Sequence, residues 1–202
     1  MKTLAVFGGT FNPIHLGHEQ MLDALCSLDF IDRVLVIPTK IPPHKEVHFL
    51  ACDQDRINMC ALACKKHKKA EVSDIELGFK DKSYTFNTLT ELKSLFPDEK
   101  LYLSIGGDML TSFTSWYRYA DILKIASLLV FRRKTDNFAE FDRMVYALRD
   151  EGAEITVINA EIDDISSTEI REAFEAGKIP SKMLSYEVLN YLTDNKIYGA
   201  KN

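Results

Sequence analysis

The stretch Thr3-Leu4-Ala5-Val6-Phe7-Gly8-Gly9-Thr10-Phe11-Asn12-Pro13-Ile14-His15-Leu16-Gly17-His18 contains a strand, a loop and a helix entry in direct succession. Residues 3–7 form a short apolar run, the pattern of a strand buried on both faces of a parallel sheet. Gly8 and Gly9 end it and let the backbone approach a ligand closely. After the Asn12-Pro13 turn a helix is expected from about Leu16, with Met21, Leu22 and Leu25 on one face. A helix entered straight from a strand end presents free amides and a positive dipole end, which attract phosphate. No Gly-Lys-Ser/Thr follows and no Gly-x-Gly-x-x-Gly is present, which argues against kinase and dehydrogenase loops. Instead His15 and His18 flank Gly17, so both imidazoles can face one spot. They lack the HExxH spacing of a zinc site and an acidic third ligand, so they are read as functional side chains at a phosphate-ready strand end.

Outward from this unit the same grammar repeats. Strands are expected at Arg33–Pro38, 71–77, 101–105, 128–131 and 155–158, and helices at about 53–66, 85–96, 138–149 and 185–193. The run 101–105 ends in Gly106-Gly107-Asp108, copying the first strand end. Ser166-Ser167-Thr168-Glu169 opens a further helix, with Ser at the cap and Glu three residues later as a capping box. Strand–helix alternation predicts an α/β fold: a doubly wound, mostly parallel sheet of about five to six strands with helices on both faces. Ligands in such folds sit beyond the carboxyl ends of the strands. With no long linker or repeat, residues 1–202 are expected to form a single domain whose C-terminal helical part starts at about 166.

Composition narrows the classes further. The chain has 202 residues, 46% hydrophobic and 27% charged, with a formal net charge of −5. That charge argues against nucleic-acid binding, which needs a basic surface to displace counterions. The basic run Lys65-Lys66-His67-Lys68-Lys69 is read as the end of a helix, where cations complement the dipole. No apolar run approaches the roughly 18 residues needed to cross a bilayer. The start Met1-Lys2 leads at once into a strand and not a signal peptide, so the chain is expected to be cytoplasmic. Cys26, Cys52, Cys60 and Cys64 lack CxxC spacing and are expected to be reduced core thiols.

Gly-Thr-Phe-Asn-Pro-x-His-x-Gly-His near the start, and Ile165-Ser166-Ser167-Thr168-Glu169-Ile170-Arg171 about 150 residues later, resemble the two signatures of the HxGH nucleotidyltransferase superfamily. Pro42-Pro43-His44-Lys45, residues 83–89 (SYTFNTL), and Gly107-Asp108 followed by Trp116-Tyr117 narrow the resemblance to the bacterial nicotinate-nucleotide adenylyltransferases, over essentially the whole chain. The resemblance implies a Rossmann-like fold and transfer of AMP from ATP to nicotinate mononucleotide, giving deamido-NAD and pyrophosphate, with no covalent enzyme intermediate. It implies His15 and His18 as the catalytic pair, and Gly8, Gly9, Thr10 and Phe11 as the cradle for ATP. Asp108 would meet ribose hydroxyls, while Ser166, Ser167 and Arg171 would hold the β- and γ-phosphates. Lys45, Thr85, Trp116 and Tyr117 would bind the mononucleotide. Mg²⁺ would be held mainly by the ATP phosphates, with no dedicated metal motif.

Two departures from the family pattern stand out. Thr39-Lys40 follow the second strand where relatives often have Asn, and Arg132-Arg133-Lys134 end the fifth, where Arg132 and Arg133 either touch phosphate or form a solvated basic edge. The alternatives are the amidated mononucleotide or a dual-specific enzyme, pantetheine phosphate as acceptor, or a non-catalytic nucleotide sensor. His15 counts against pantetheine phosphate, and the intact phosphate-facing set counts against a sensor. The sequence is silent on oligomeric state, so a homo-oligomer stays open.

Overall fold

The computed structural model describes residues 1–40, 50–79 and 83–200. Six strands build one sheet: β1 (Thr3–Gly9), β2 (Arg33–Pro38), β3 (Ala70–Val72), β4 (Lys100–Gly106), β5 (Ala126–Arg132) and β6 (Ile155–Asn159). Their order is β3-β2-β1-β4-β5-β6, and every pairing is parallel. Parallel neighbours need long crossovers. Among the described residues the helices that lie between and beyond the strands are α1 (Leu16–Ser27), α2 (Asp53–Cys64), α3 (Thr85–Leu95), α4 (Gly107–Thr111), α5 (Tyr119–Ile125), α6 (Phe138–Asp150), α7 (Ser167–Glu175) and α8 (Tyr186–Asp194).

Alternation along the strands sorts the core into two layers. Ala5 and Phe7 of β1 join the layer built from Met21, Leu22 and Leu25 of α1, Met59 and Cys60 of α2, Ile170 and Phe174 of α7, and Val188 and Leu192 of α8. Leu4 and Val6 face the other layer, with Leu89 and Leu92 of α3, Ile122 of α5, and Phe141, Val145 and Leu148 of α6. The C-terminal helices α7 and α8 therefore pack on the same face as α1, which brings residue 166 onward back to the first strand. From β1 the chain grows to β2 and β3, then crosses to β4 on the other side, so the switch point lies between β1 and β4. The strand ends flanking it, Gly8-Gly9 and Gly106, frame the crevice where such sheets bind ligands.

Several sequence expectations change. The third strand is short: Ser73 and Asp74 turn the chain, and Ile75–Gly78 is a 3₁₀ turn rather than strand. The Ser73 hydroxyl accepts from the Ile75 amide at 3.4 Å, and the Leu77 amide donates to the Asp74 carbonyl. Helix α2 ends at Cys64, so the basic run lies just beyond it rather than in its last turn. The chain also forms the short helices α4 and α5, which were not expected. All four cysteines are free, but Cys52 is exposed and Cys26 half-buried, which leaves only Cys60 and Cys64 as core thiols. The Cys52 sulfur instead caps α2, accepting from the Asp55 amide at 3.4 Å. Among the described residues no helix is long and apolar enough to cross a membrane.

Candidate active site

Beyond β1 the backbone is shaped by what glycine permits. Gly8 is exposed and open space lies over its Cα, the condition a closely approaching ligand needs. A Cβ on Gly9 would come within 2.8 Å of the Phe11 ring. Phe11 (φ 45°) is left-handed, and its ring is buried between Phe7, at 5.4 Å, and the His18 imidazole, met edge-on at 5.1 Å. Its side chain therefore backs the histidine, and only its backbone is placed to meet a ligand. Gly17 is equally constrained: a Cβ there would meet the Asp163 carbonyl oxygen at 2.8 Å and His15 Nδ1 at 3.3 Å. The HxGH spacing thus lets α1 start directly against the segment that precedes α7.

His15 caps α1 with its own side chain, Nδ1 accepting from the His18 amide at 3.4 Å. The two imidazoles stack, centroids 3.6 Å apart and planes at 28°. Burial holds His15 down to about 4, helped by the Arg133 guanidinium. His18 is likewise held well below the usual imidazole range, by burial first and then by His15 and Arg133. Both rings are therefore neutral at pH 7, each with one N–H to donate and one nitrogen to accept. His18 Nδ1 is buried with no hydrogen-bond partner among the described residues.

The two basic residues at the end of β5 part company. Arg132 turns to α6, where it pairs with Asp142 and lies over the rings of Phe138 and Phe141. Arg133 turns to the site: it acts electrostatically on both histidines, and its Nη2 lies 3.9 Å from Asp108 Oδ1. Asp108 is exposed in the first turn of α4. Gly106 leaves the room for this, since a Cβ there would lie 2.5 Å from Asp108 Oδ1 and 3.4 Å from Arg133 Nη2.

The second signature folds back onto the first. Ser166 caps α7 in the expected capping box, its hydroxyl accepting from Thr168 while Glu169 accepts from the Ser166 amide. The Ser167 hydroxyl donates to the Pro13 carbonyl at 3.0 Å. Arg171 Nη1 donates to the Asn12 carbonyl at 2.8 Å, and Nη2 to Thr168 Oγ1 at 3.2 Å. His15, His18, Thr10, Asp108, Ser166, Ser167 and Arg171 are thus gathered around the carboxyl ends of β1 and β4.

Across the crevice, Thr85 opens α3 behind Tyr84, whose side chain makes no capping bond. The Tyr84 ring lies 4.8 Å from that of Tyr117, and half-buried Trp116 packs on Phe113 at 5.2 Å. Tyr117 thus meets Tyr84 and Phe86, the neighbours of Thr85 in the chain, from a segment about 30 residues away. Lys45 and the Pro42-Pro43-His44 segment lie outside the described residues. Lys40 is held structurally: its ammonium donates to the Phe79 carbonyl at 2.7 Å, and its amide to Ser83 Oγ at 3.2 Å.

Sequence reasoning missed Arg56. It is fully buried, and Nη1 donates to the carbonyls of Thr10 at 2.9 Å and Thr39 at 2.6 Å, tying the ends of β1 and β2 together while Nη2 pairs with Asp53. The signal was available: Arg56 begins the buried stripe Arg56-Met59-Cys60-Ala63-Cys64, where helical periodicity calls for an apolar side chain.

Comparison with known proteins bears on this geometry. Residues 6–173 match the cytidylyltransferase-like family. The chain is 38% identical, over 83% of its length and 85% of the relative's, to a protein named "probable nicotinate-nucleotide adenylyltransferase" from Fusobacterium nucleatum. A protein of the same name from Caldicellulosiruptor saccharolyticus is 36% identical over 96% of this chain and 98% of its own. The fold is also that of the Plasmodium falciparum nicotinic acid mononucleotide adenylyltransferase complexed with NaAD, with a TM-score of 0.82 over 100% and 99% of the two chains at 20% identity. The chain therefore belongs to the cytidylyltransferase-like family, among its nicotinate-nucleotide adenylyltransferases.

Proposed function

We propose that this chain transfers the adenylyl group of ATP to nicotinate mononucleotide through the residues gathered at the β1–β4 switch point. The observation that carries the reading is the meeting of the two distant signatures, Ser167 and Arg171 bonding the carbonyls of Pro13 and Asn12 beside His15 and His18. A 5′-phosphate oxygen of the mononucleotide attacks the α-phosphorus. A new P–O bond forms, the bond to the β-phosphate oxygen breaks, and its electron pair leaves with pyrophosphate. The protein's work is positioning and charge stabilisation.

In this scheme His15 and His18, as neutral imidazoles, donate to oxygens of the α-phosphate, while Thr10, the open backbone at Gly8 and the neighbouring Gly9 complete the cradle. Asp108 accepts from ribose hydroxyls. Ser166, Ser167 and Arg171 face the β- and γ-phosphates, and Arg133 adds positive charge between Asp108 and the histidines. Trp116 stacks on the pyridine ring, and Thr85 with the Tyr117 backbone receives its carboxylate. Lys45 is proposed as a phosphate contact on sequence grounds alone. Among the described residues no three His, Cys, Asp or Glu side chains converge as metal ligands. Mg²⁺ would enter with ATP, held chiefly by the phosphate oxygens, whose charge it would shield. On this reading, substrates of this kind suit a cytoplasmic location.

Incubation with ATP, Mg²⁺ and each candidate acceptor, followed by pyrophosphate release, tests the proposal. Nicotinate mononucleotide should give the fastest release and pantetheine phosphate none. Equal rates with the amidated mononucleotide would move the chain to a dual-specific enzyme, and no release with any acceptor would leave a nucleotide-binding protein.

A further inference from the structure

The turn Ile197–Gly199 and the residue before it are wound against local preference. Lys196 (φ 54°), Tyr198 (φ 56°) and Gly199 (φ 74°) are all left-handed, a conformation that side-chain-bearing residues rarely adopt and an aromatic one least of all. This winding turns Tyr198 inward, its ring 6.5 Å from that of Phe174 on α7. Its hydroxyl donates to Asn12 Oδ1, a residue 186 positions earlier in the chain. The same Oδ1 accepts the Ala51 amide at 3.0 Å, and the Asn12 carbonyl accepts Arg171. Burial raises the Tyr198 phenol above its ordinary value, which keeps it protonated and a donor, while Arg171 and Arg56 lie close enough to act on it electrostatically.

Filling the core beside Phe174 would require only an aromatic ring. The hydroxyl, desolvated and aimed at one carboxamide oxygen, together with a backbone held in a costly conformation, points to a site-directed role; such strain clusters where a site over-determines it. Asn12 is the junction concerned. It lies between Thr10, whose carbonyl Arg56 holds, and His15, and its own carbonyl holds Arg171.

We propose that Tyr198 is a positioning residue for the triphosphate site: its hydroxyl fixes the Asn12 carboxamide, and through it the 10–13 loop and the Arg171 guanidinium. The inference rests on the proposed function only in taking that loop and Arg171 as the ATP side.

Tyr198→Phe keeps the ring and removes the hydroxyl. Calorimetric titration of the full chain with MgATP, and separately with nicotinate mononucleotide, reads the two sides of the site independently of turnover. The variant should bind ATP about tenfold more weakly, the size of one net hydrogen bond, with mononucleotide affinity changed less than about twofold. The kcat/KM for ATP should fall in parallel. In an Asn12→Ala background the Tyr198→Phe change should have little further effect on ATP affinity, because the path runs through Asn12. Unchanged ATP affinity with only a lower thermal midpoint would overturn the proposal in favour of packing, as would equal weakening toward both ligands or full additivity with Asn12→Ala. A wild type that binds ATP but passes AMP to another acceptor overturns the acceptor reading and leaves this inference standing. A wild type that binds no ATP overturns both.

Discussion

Around the β1 loop, side chains are tied to backbone carbonyls, whereas around residues 116–118 rings lean on rings. Thr10, Asn12, Pro13 and Thr39 each offer a carbonyl oxygen to a guanidinium or hydroxyl from elsewhere in the chain. Gly9 and Gly17 leave no room there for a Cβ. On the other side Tyr117 is 51% exposed and rests on Tyr84 and Phe86, and the Arg118 guanidinium lies 3.8 Å over the Phe86 ring. On the proposed function, the difference answers to what each side would have to do. Charge developing on a phosphoryl group has to be met by donors fixed to within about half an ångström, and bonds to backbone supply that. A flat heterocycle needs an apolar surface at the right angle, and stacked aromatics supply it with looser tolerances.

The strongest way to break this comparison is at the histidines. His15→Ala or His18→Ala should lower turnover by about 10²–10³, the worth of one preorganised donor to a developing phosphoryl charge. His15 also caps α1, so its alanine variant should lose about 1 kcal/mol of stability as well. Asparagine at position 15 can accept the His18 amide as Nδ1 does, so His15→Asn should recover stability without recovering rate. Thermal midpoints and single-turnover rates separate the two losses. A turnover near that of wild type in both alanine variants would remove the pair from catalysis.

A second test uses the burial of the same pair. Burial holds His15 down to about 4 in the folded chain, against 6.5 in an exposed one. Because the folded value is depressed, the unfolded chain binds the extra proton first, and stability is lost as pH falls from about 6.5 towards 4. Below that window the loss from His15 should approach about 3 kcal/mol, at about 1.4 kcal/mol per pKa unit, and His18 should add to it in the same direction. Urea midpoints measured from pH 7.5 to 4.5 should show the slope, and His15→Asn should flatten it. No change of slope would mean that the imidazole is not held neutral by its surroundings.

What the sequence disclosed, and what it hid, follows the same division. The apolar run at 3–7 and the Ser166–Glu169 box are local patterns, and each became the expected element because neighbouring residues decide it. Gly8 and Gly9, expected to end the strand, instead pair with Ile37 and Pro38 and continue β1. The bracing of the β1 loop is non-local. Arg56 reaches Thr10 across 46 positions and Tyr198 reaches Asn12 across 186, and no local pattern encodes such pairs. Helices α4 and α5 span five and seven residues, too few turns for a 3.6-residue period to appear. Arg132 and Arg133 look alike in sequence, but the first lies against Asp142, Phe138 and Phe141 of α6, while the second turns towards Asp108 on α4.

Arg171 tests the ATP side at an intermediate scale. Arg171→Ala should reduce kcat/KM for ATP by about ten- to a hundred-fold, the range of a hydrogen bond to a charged group, and affect the mononucleotide less. It also removes the bond from Arg171 to the Asn12 carbonyl, so part of the loss is geometric. Arg171→Lys should restore only part of the activity, because an ammonium cannot hold the Asn12 carbonyl and a phosphate with one planar fork. Equal losses toward both substrates would place Arg171 outside the pyrophosphate site.

The smallest expected effect probes the aromatic side. Thr85 opens α3 next to Tyr84, whose ring meets that of Tyr117, and on the proposed function the carboxylate of the acceptor is assigned to the Thr85 hydroxyl and to nearby backbone amides. A carboxamide would have to turn an NH₂ toward one of those donors, so wild type should prefer the acid by about tenfold or more. Thr85→Ala removes one donor and leaves the backbone donors, so the preference should shrink to a few-fold without vanishing. Trp116→Ala should instead lower kcat/KM for acid and amide alike, since a stacking surface does not distinguish them. Ratios of kcat/KM for the two mononucleotides, in wild type and both variants, read this directly. If Thr85→Ala left the ratio intact while Trp116→Ala collapsed it, discrimination would reside in the ring stack, and the division between a hydrogen-bonded phosphate side and a tolerant aromatic side would have to be redrawn.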